Sequence, residues 1–305
     1  MNHRYVLVTA VRNEEPYLEK TIKSVVAQTI KPIKWTIVND GSTDRTGEII
    51  SWYSSRHNFI KLINIMSEND RNFASKVRAI HEGIKSFQGM AYEFIGNIDG
   101  DIEIGLDYFE CLLSKFKEDE MLGIAGGWIH EKQKGRYVAR FGNSENSVPG
   151  SIQTFRRLCF ESIGNYLSLS TGGEDYIAEV MARMHGWSTR SYPPLIVYHQ
   201  RPTGTAKAYS LCASYRSGKS DYFVGYHPVF EAFKCLRRIY ARPVIIGSFL
   251  RFVGYMDGLW SKEPITVPIN VIEYLRKEQM NRIKSLITGS DKLIAFKRHN
   301  GRSRA

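Results

Sequence analysis

The sequence predicts an α/β fold, a mostly parallel sheet flanked by helices, followed by a basic helical extension. Three observations carry this. Strand-like and helix-like segments alternate four times within residues 4–99 with short connections, the pattern of βαβ units. Of the 305 residues, 43% are hydrophobic and 24% charged, ordinary for a folded globular chain. The charge is also uneven. Residues 1–200 hold 23 Lys and Arg against 24 Asp and Glu, whereas 201–305 hold 19 against 7, so the whole excess of +11 lies in the last third. That asymmetry divides the chain into 1–205 and 206–305, the second part drawn to something anionic.

The elements follow in order. Residues 4–11, RYVLVTAV, form a short β-branched run that reads as a buried strand. The helix after it opens with acidic residues and Pro16, and repeats Leu18, Ile22 and Val25 at helical spacing. KWTIVND (34–40) is a second strand, turned by GSTD, where Thr43 or Asp44 can cap the next helix. IKLINI (60–65) is a third strand, 73–87 a helix, and 91–99 a fourth strand. Beyond 121 the pattern changes. Residues 121–129 and 135–142 read as strands, 151–164 as a strand running into a helix, 171–187 as a helix after two glycines, and 188–201 as a strand leading out of the domain. No repeat or low-complexity tract interrupts this order.

In a parallel sheet, ligands gather beyond the carboxyl ends of the strands. Four stretches lie there: Thr9–Glu15, Asn39–Asp44, Ser67–Asn72 and Asp99–Asp101. Four scattered cysteines (Cys111, Cys159, Cys212 and Cys235) without a C-x-x-C pair argue against a disulfide scaffold or zinc knuckle and fit a reducing compartment. No signal peptide is expected, since Tyr5–Ala10 already reads as a strand. Two apparent phosphate motifs fail on spacing. SGKS (217–220) has Ala213 where a P-loop needs glycine, and GIAGG (123–127) lacks G-x-G-x-x-G.

VTAVRNEE, VNDGSTD, SKVRAIHEGI, NIDGD and GGEDY stand in the order seen in family-2 inverting glycosyltransferases of GT-A fold, enzymes of bacterial or archaeal polysaccharide or glycolipid synthesis. The sequence resembles that family over residues 4–205; each motif alone is weak, and the order of five is specific. The resemblance implies a nucleotide-sugar donor, a glycan or lipid-linked acceptor hydroxyl, a divalent Mg²⁺ or Mn²⁺, and inversion at the anomeric carbon.

Asp99-Gly100-Asp101 is by itself also a strand-ending turn. By resemblance it is a D-x-D motif, with Asp101 on the metal and Asp99 on the metal or the donor ribose. Magnesium and manganese prefer oxygen ligands, and a cation lets carboxylates sit beside a diphosphate. Asp40 suits an Asx turn, or by resemblance the donor's base or ribose, with Thr9 and Glu14 framing the same nucleoside; Glu14 equally suits a helix N-terminus. Arg71 and Lys76 suit plain surface charge, or by resemblance the family's donor-binding helix, matched in part with Ser75 for its glycine and His81 for its asparagine. Glu174 and Asp175 suit a helix start, or the family's E-D pair. In that second reading Asp175 takes the acceptor's proton with Glu174 beside it, and the two roles are interchangeable on sequence alone. His199 suits a satisfied polar residue at a strand end, or by resemblance to some relatives completes the metal site, and Arg201 can meet the diphosphate. HQRPTGT in place of Q-x-x-R-W points to the addition of one or a few sugars.

Residues 229–260 mix aromatics with Arg237, Arg238, Arg242 and Arg251. The apolar stretch 243–260 contains Arg251 and Asp257 and falls short of the roughly 20 apolar residues of a spanning helix. It matches no nucleic-acid module. Peripheral association with an anionic membrane surface, at its cytoplasmic face, is the expectation; a basic helical annex is the plainer reading. The tail 297–305 reads as disordered. The rival to an enzyme is a catalytically silent GT-A-fold protein that binds a membrane or partner; a nucleotidyltransferase would leave the E-D helix without a use.

Overall fold

The computed structural model describes residues 4–66, 73–133, 135–140, 142–169, 171–201, 211–239 and 245–288. The chain forms two compact units, Met1–Ala206 and Lys207–Ala305. In chain order the first contains β1 (Tyr5–Val11), α1 (Glu15–Val26), β2 (Lys34–Asp40), α2 (Thr46–Ser54), β3 (Ile60–Ile65), α3 (Phe73–Lys85), β4 (Phe94–Ile98), β5 (Ile102–Ile104), α4 (Tyr108–Glu118), β6 (Leu122–Gln133), β7 (Arg136–Ala139), β8 (Ile152–Arg156), α5 (Arg157–Ser162), α6 (Glu174–Met184) and β9 (Ser188–His199).

The strands make one sheet in the order β3-β2-β1-β4-β8-β6-β9-β5, with β7 on β6. Its first half is parallel, with helices as crossovers. β1 is an unbroken apolar run because both its faces are covered; Tyr5, Val6, Leu7 and Val8 are all buried. α1 carries Pro16 in its first turn and buries Leu18, Ile22 and Val25, the helical spacing read from sequence. The second half is mixed: β8 runs antiparallel to both β4 and β6, β9 parallel to β6, and β5 antiparallel to β9. The register of β6 and β9 slips between Gly127 and Trp128, where Pro193 and Pro194 lie on β9 and cannot donate to a ladder. Gly127 is required there, since a Cβ would lie 2.1 Å from the Leu195 carbonyl oxygen.

Two elements go beyond the expected pattern. β5 follows the two aspartates at once. α4 buries Tyr108, Phe109, Leu112, Leu113 and Phe116, and Phe109 stacks on Tyr5 with centroids 4.6 Å apart. Its periodicity is as plain in the sequence as that of α1.

The second unit contains α7 (Leu211–Phe223), α8 (Pro228–Arg237), α9 (Ile246–Ser261) and α10 (Ile269–Thr288). α8 is capped by His227, whose Nδ1 accepts from the Val229 amide at 3.2 Å, and begins with Pro228. SGKS lies inside α7, so its amides belong to a helix and form no phosphate loop. Arg71, Arg242, the stretch 67–72 and the tail 297–305 lie outside the described residues.

Candidate active site

The carboxyl ends of β1, β2 and β4 bring three acidic stretches together. Asp40 closes β2; its carboxylate is only 5% exposed and makes no hydrogen bond or ion pair among the described residues. Glu14 precedes α1 and is buried, with its backbone amide donating to Thr46 Oγ1 at 2.8 Å. Between Asp99 and Asp101 only glycine fits: a Cβ on Gly100 would lie 2.7 Å from Val11 Cγ1, and the Gly100 carbonyl accepts from the Thr21 hydroxyl at 2.9 Å. Thr9 is placed differently. It is fully buried, and its hydroxyl accepts from the Trp35 indole at 2.9 Å, so its side chain supports the sheet and does not face the crevice.

Asp101 is 2% exposed. Ile102 pairs with His199 across β5 and β9, and the Gln200 amide donates to the Asp101 carbonyl at 2.9 Å, which carries His199 and Arg201 to the aspartate. His199 Nε2 lies 3.1 Å from Asp101 Oδ2. Arg201 spans two strand ends: Nε meets Asp101 Oδ2 at 2.6 Å, and Nη2 donates to Glu14 Oε1 at 2.8 Å. Burial pushes the Asp101 carboxyl up, but His199, Arg201 and Lys76 outweigh it and hold it below the usual carboxylate range. Asp99 faces elsewhere and accepts from Lys76 Nζ of α3 at 2.7 Å. Burial works against the Lys76 charge, yet Asp99, Glu174 and Asp175 raise its pKa above the ordinary lysine value.

A cavity of about 340 Å³ is lined by Lys76, Asp99, His199, Arg140, Glu174 and Asp175, among others. α6 begins at its edge. Gly172 and Gly173 both adopt left-handed backbone (φ 81° and 96°), which is why two glycines precede the acidic pair. Asp175 packs on Gly150, where a Cβ would lie 2.4 Å from Asp175 Oδ2. Its Oδ1 accepts from the Tyr176 amide at 2.8 Å. Glu174 is pushed up to about 7, first by burial and then by the Asp175 charge, and its Oε2 is buried without a hydrogen-bond partner.

The family model described as Glycosyl transferase family 2 matches residues 6–172, more than half of the chain. The chain belongs to glycosyltransferase family 2. Among its relatives, "Glycosyltransferase GlyA" of Streptococcus pneumoniae serotype 4 is 32% identical over 188 residues, 60% of this chain and 26% of that protein. "Poly-beta-1,6-N-acetyl-D-glucosamine synthase" of Staphylococcus epidermidis is 32% identical over 145 residues, 48% of this chain and 30% of that protein. The family-2 chain thus spans about a quarter to a third of the length of these relatives. In fold it is similar to the mannosyltransferase PcManGT of Pyrobaculum calidifontis in complex with GDP-Man and Mn²⁺ (TM-score 0.52, 14% identity, 93% of this chain and 80% of that one). It is also similar to residues 1–349 of S. aureus TarS in complex with UDP-GlcNAc (TM-score 0.53, 14% identity, 89% and 78%). The fold is GT-A, as the motif order implied.

No group of three or more His, Cys, Asp or Glu side chains that could hold a metal ion occurs among the described residues of this family-2 chain. Asp101 and His199 are paired, while Asp99 is turned to Lys76. A divalent cation that completes its shell from substrate phosphates needs only one or two protein carboxylates, and imidazole suits Mn²⁺. Asp101 meets that need, and a cation, the Arg201 guanidinium, is already drawn to its Oδ2. The residues therefore fit the metal.

The sequence reading missed three residues at the site. Asn97 lies on β4 two residues before Asp99, and both line the cavity; its Nδ2 donates to the Gly150 carbonyl at 2.8 Å and its Oδ1 is buried without a partner among the described residues. That spacing was readable. Glu179, one helical turn beyond Asp175 on α6, accepts from the Val148 amide at 2.5 Å, and Gly150 shapes the wall against Asp175. Those two contacts join distant segments, and no local pattern announces them.

Proposed function

We propose that this chain transfers a sugar from a nucleoside-diphosphate donor to a hydroxyl of a glycan or lipid-linked acceptor, with inversion. The observation that carries the reading is the shared cavity. It has the Lys76–Asp99 pair and the Glu174–Asp175 pair on its lining, together with His199, the partner of Asp101. Asp40, buried and without a partner among the described residues, is the acceptor for a nucleoside N–H or hydroxyl, and Lys76 and Arg201 are the cations for the diphosphate. Asp101 and His199 would hold Mg²⁺ or Mn²⁺, whose charge would stabilise the departing nucleoside diphosphate, while Asp99 stays on Lys76. Asp175 takes the proton from the acceptor hydroxyl as its oxygen bonds to the anomeric carbon, and the bond to the diphosphate oxygen breaks on the opposite face. Relatives named as a polysaccharide synthase support a glycan acceptor, and UDP- and GDP-sugars are the donor classes of the structural neighbours.

Residues 1–205 are proposed as the catalytic domain. Residues 206–305 are proposed to rest on the cytoplasmic face of an anionic membrane. Among the described residues no helix is long and apolar enough to cross a membrane.

A thermal-shift screen of nucleotide sugars with and without Mn²⁺ tests the reading, since a bound donor raises the melting temperature. A metal-dependent shift followed by nucleoside-diphosphate release is expected, and Asp101→Ala should lose the metal dependence. Full metal-dependent turnover in that variant would remove Asp101 from the metal site. Donor binding by the unaltered chain, with no turnover on any glycan acceptor, would leave the silent binding module.

A further inference from the structure

α9 is built inside out. Its buried face carries Gly247, Gly254, Tyr255 and Gly258. The glycines let α7 approach at backbone distance: a Cβ on Gly254 would lie 2.1 Å from the Tyr215 carbonyl oxygen, and one on Gly218 would meet the Arg251 carbonyl oxygen. The only charged residues of α9, Arg251 and Asp257, are also engaged within the unit. Arg251 bonds Asp221 and Glu231, and Asp257 Oδ2 accepts from Tyr215 at 2.7 Å and Lys219 at 3.2 Å. The large apolar side chains face solvent: Ile246, Phe249 (64% exposed), Phe252, Leu259 and Trp260 (76%). At about 100° per residue these five fall within one half of the helix surface.

A soluble helix buries its apolar stripe and exposes its charges; α9 exposes its large apolar side chains, largely buries Arg251 and keeps half-exposed Asp257 paired with Lys219, which calls for an apolar neighbour. We propose that this face of α9 is the element that enters the surface of an anionic bilayer, lying in its plane. Length argues for lying in the plane. Sixteen residues reach about 24 Å, short of the ~30 Å hydrocarbon core. Charge argues for lipid over another apolar partner. Residues 207–305 hold 18 Lys and Arg against 7 Asp and Glu, exposed Arg237 and Arg238 precede α9, and exposed Lys262 follows Trp260. An apolar face ending in tryptophan with basic flanks is the composition of interfacial helices. The assignment rests on the membrane reading of this unit and names the part that touches lipid.

The test is flotation of the full chain with phosphatidylcholine vesicles, with and without phosphatidylglycerol. The unaltered chain should float with the anionic vesicles. The double variant Phe249→Ser, Trp260→Ser should bind them about tenfold or more weakly while keeping its melting temperature and donor-induced thermal shift. If the unaltered chain floats and the variant floats equally, the membrane reading stands and α9 is not the contact. If the unaltered chain does not float with anionic vesicles, both fall. A dimer in light scattering that the double variant dissociates, without flotation, would give the face to a second copy of the chain.

Discussion

Each unit buries a cluster of four charged or ionisable side chains. In the first, Asp101 and Glu14 share Arg201, with His199 on Asp101. In the second, Asp221 and Glu231 each meet both Lys234 and Arg251. The two clusters are similarly buried, yet they differ in what is left over. The second is closed, with two acids matched by two cations on α7, α8 and α9. The first opens through His199 onto a cavity that also holds Lys76, Glu174 and Asp175, and Asp40, without a partner among the described residues, closes β2 nearby. Even the lysines divide this way. Burial dominates at Lys234 and lowers its pKa, whereas at Lys76 three carboxylates outweigh burial and raise it. Burial of charge therefore does not mark chemistry by itself. Charge left unmatched beside a cavity does.

The largest expected effect separates the two clusters by activity. Asp175→Asn removes the proposed base and should lower transfer by about 10²–10⁴-fold with donor affinity kept. Survival of transfer would place the base elsewhere. Asp221→Ala strands two buried cations beside Glu231 and should cost about 3–5 kcal/mol of unfolding free energy. Measured per folded molecule, its transfer rate should stay unchanged; a loss of rate at full stability would break the distinction between a closed and an open cluster.

The parallel half of the fold was legible because its signals are local: apolar runs, helical periodicity and Pro16 at a helix start. α4 was legible too, and its apolar spacing went unread. What joins the site was not legible from local pattern. Asp101 meets His199 across 98 positions, to which only the family motif order pointed, and Gly150 meets Asp175 across β8 and α5, to which nothing in the sequence pointed. Thr9 shows the opposite limit. It was expected at the strand end, but β1 runs on to Val11, and the Thr9 hydroxyl turns into the sheet toward Trp35. In the second unit the apolar stripe of α9 was visible, and its direction was not. A stripe of glycines and a stripe of large apolar residues compete for the inside, and the close approach of α7 decided for the glycines.

A smaller effect distinguishes the two residues of the acidic pair. Glu174 is pushed up to about 7 and so takes up a proton near neutrality, while Asp175 is the proposed base. Glu174→Gln should keep transfer within about tenfold and remove an ionisation near pH 7 from the kcat/KM profile. A loss as deep as that of Asp175→Asn would exchange the roles.

The smallest effect concerns Glu179, buried on α6 behind the cavity wall. Its carboxyl is pushed up to about 8 by burial, against the Val148 amide and Arg183, which favour the charged form. Its Oε1 accepts from the Val148 amide and the Ser147 hydroxyl and so ties the 147–150 wall to the helix that carries Asp175. A carboxyl whose folded pKa is raised binds its proton more tightly folded than unfolded. Its contribution is complete below the unfolded value of about 4.3 and is lost as pH rises through about 8. Glu174 acts with the same sign, so the unaltered chain should melt at progressively lower temperature from pH 5 to 9. Glu179→Gln keeps the oxygen that accepts from Val148 and has no proton to lose. Its melting temperature should gain on that of the unaltered chain as pH rises, by a few degrees at pH 9, with transfer at pH 7 within about twofold. A difference that stays flat with pH would mean that Glu179 is already ionised in the folded chain and paired with Arg183. The wall beside Asp175 would then be held by an ion pair, and the first unit would contain a closed cluster like that of the second.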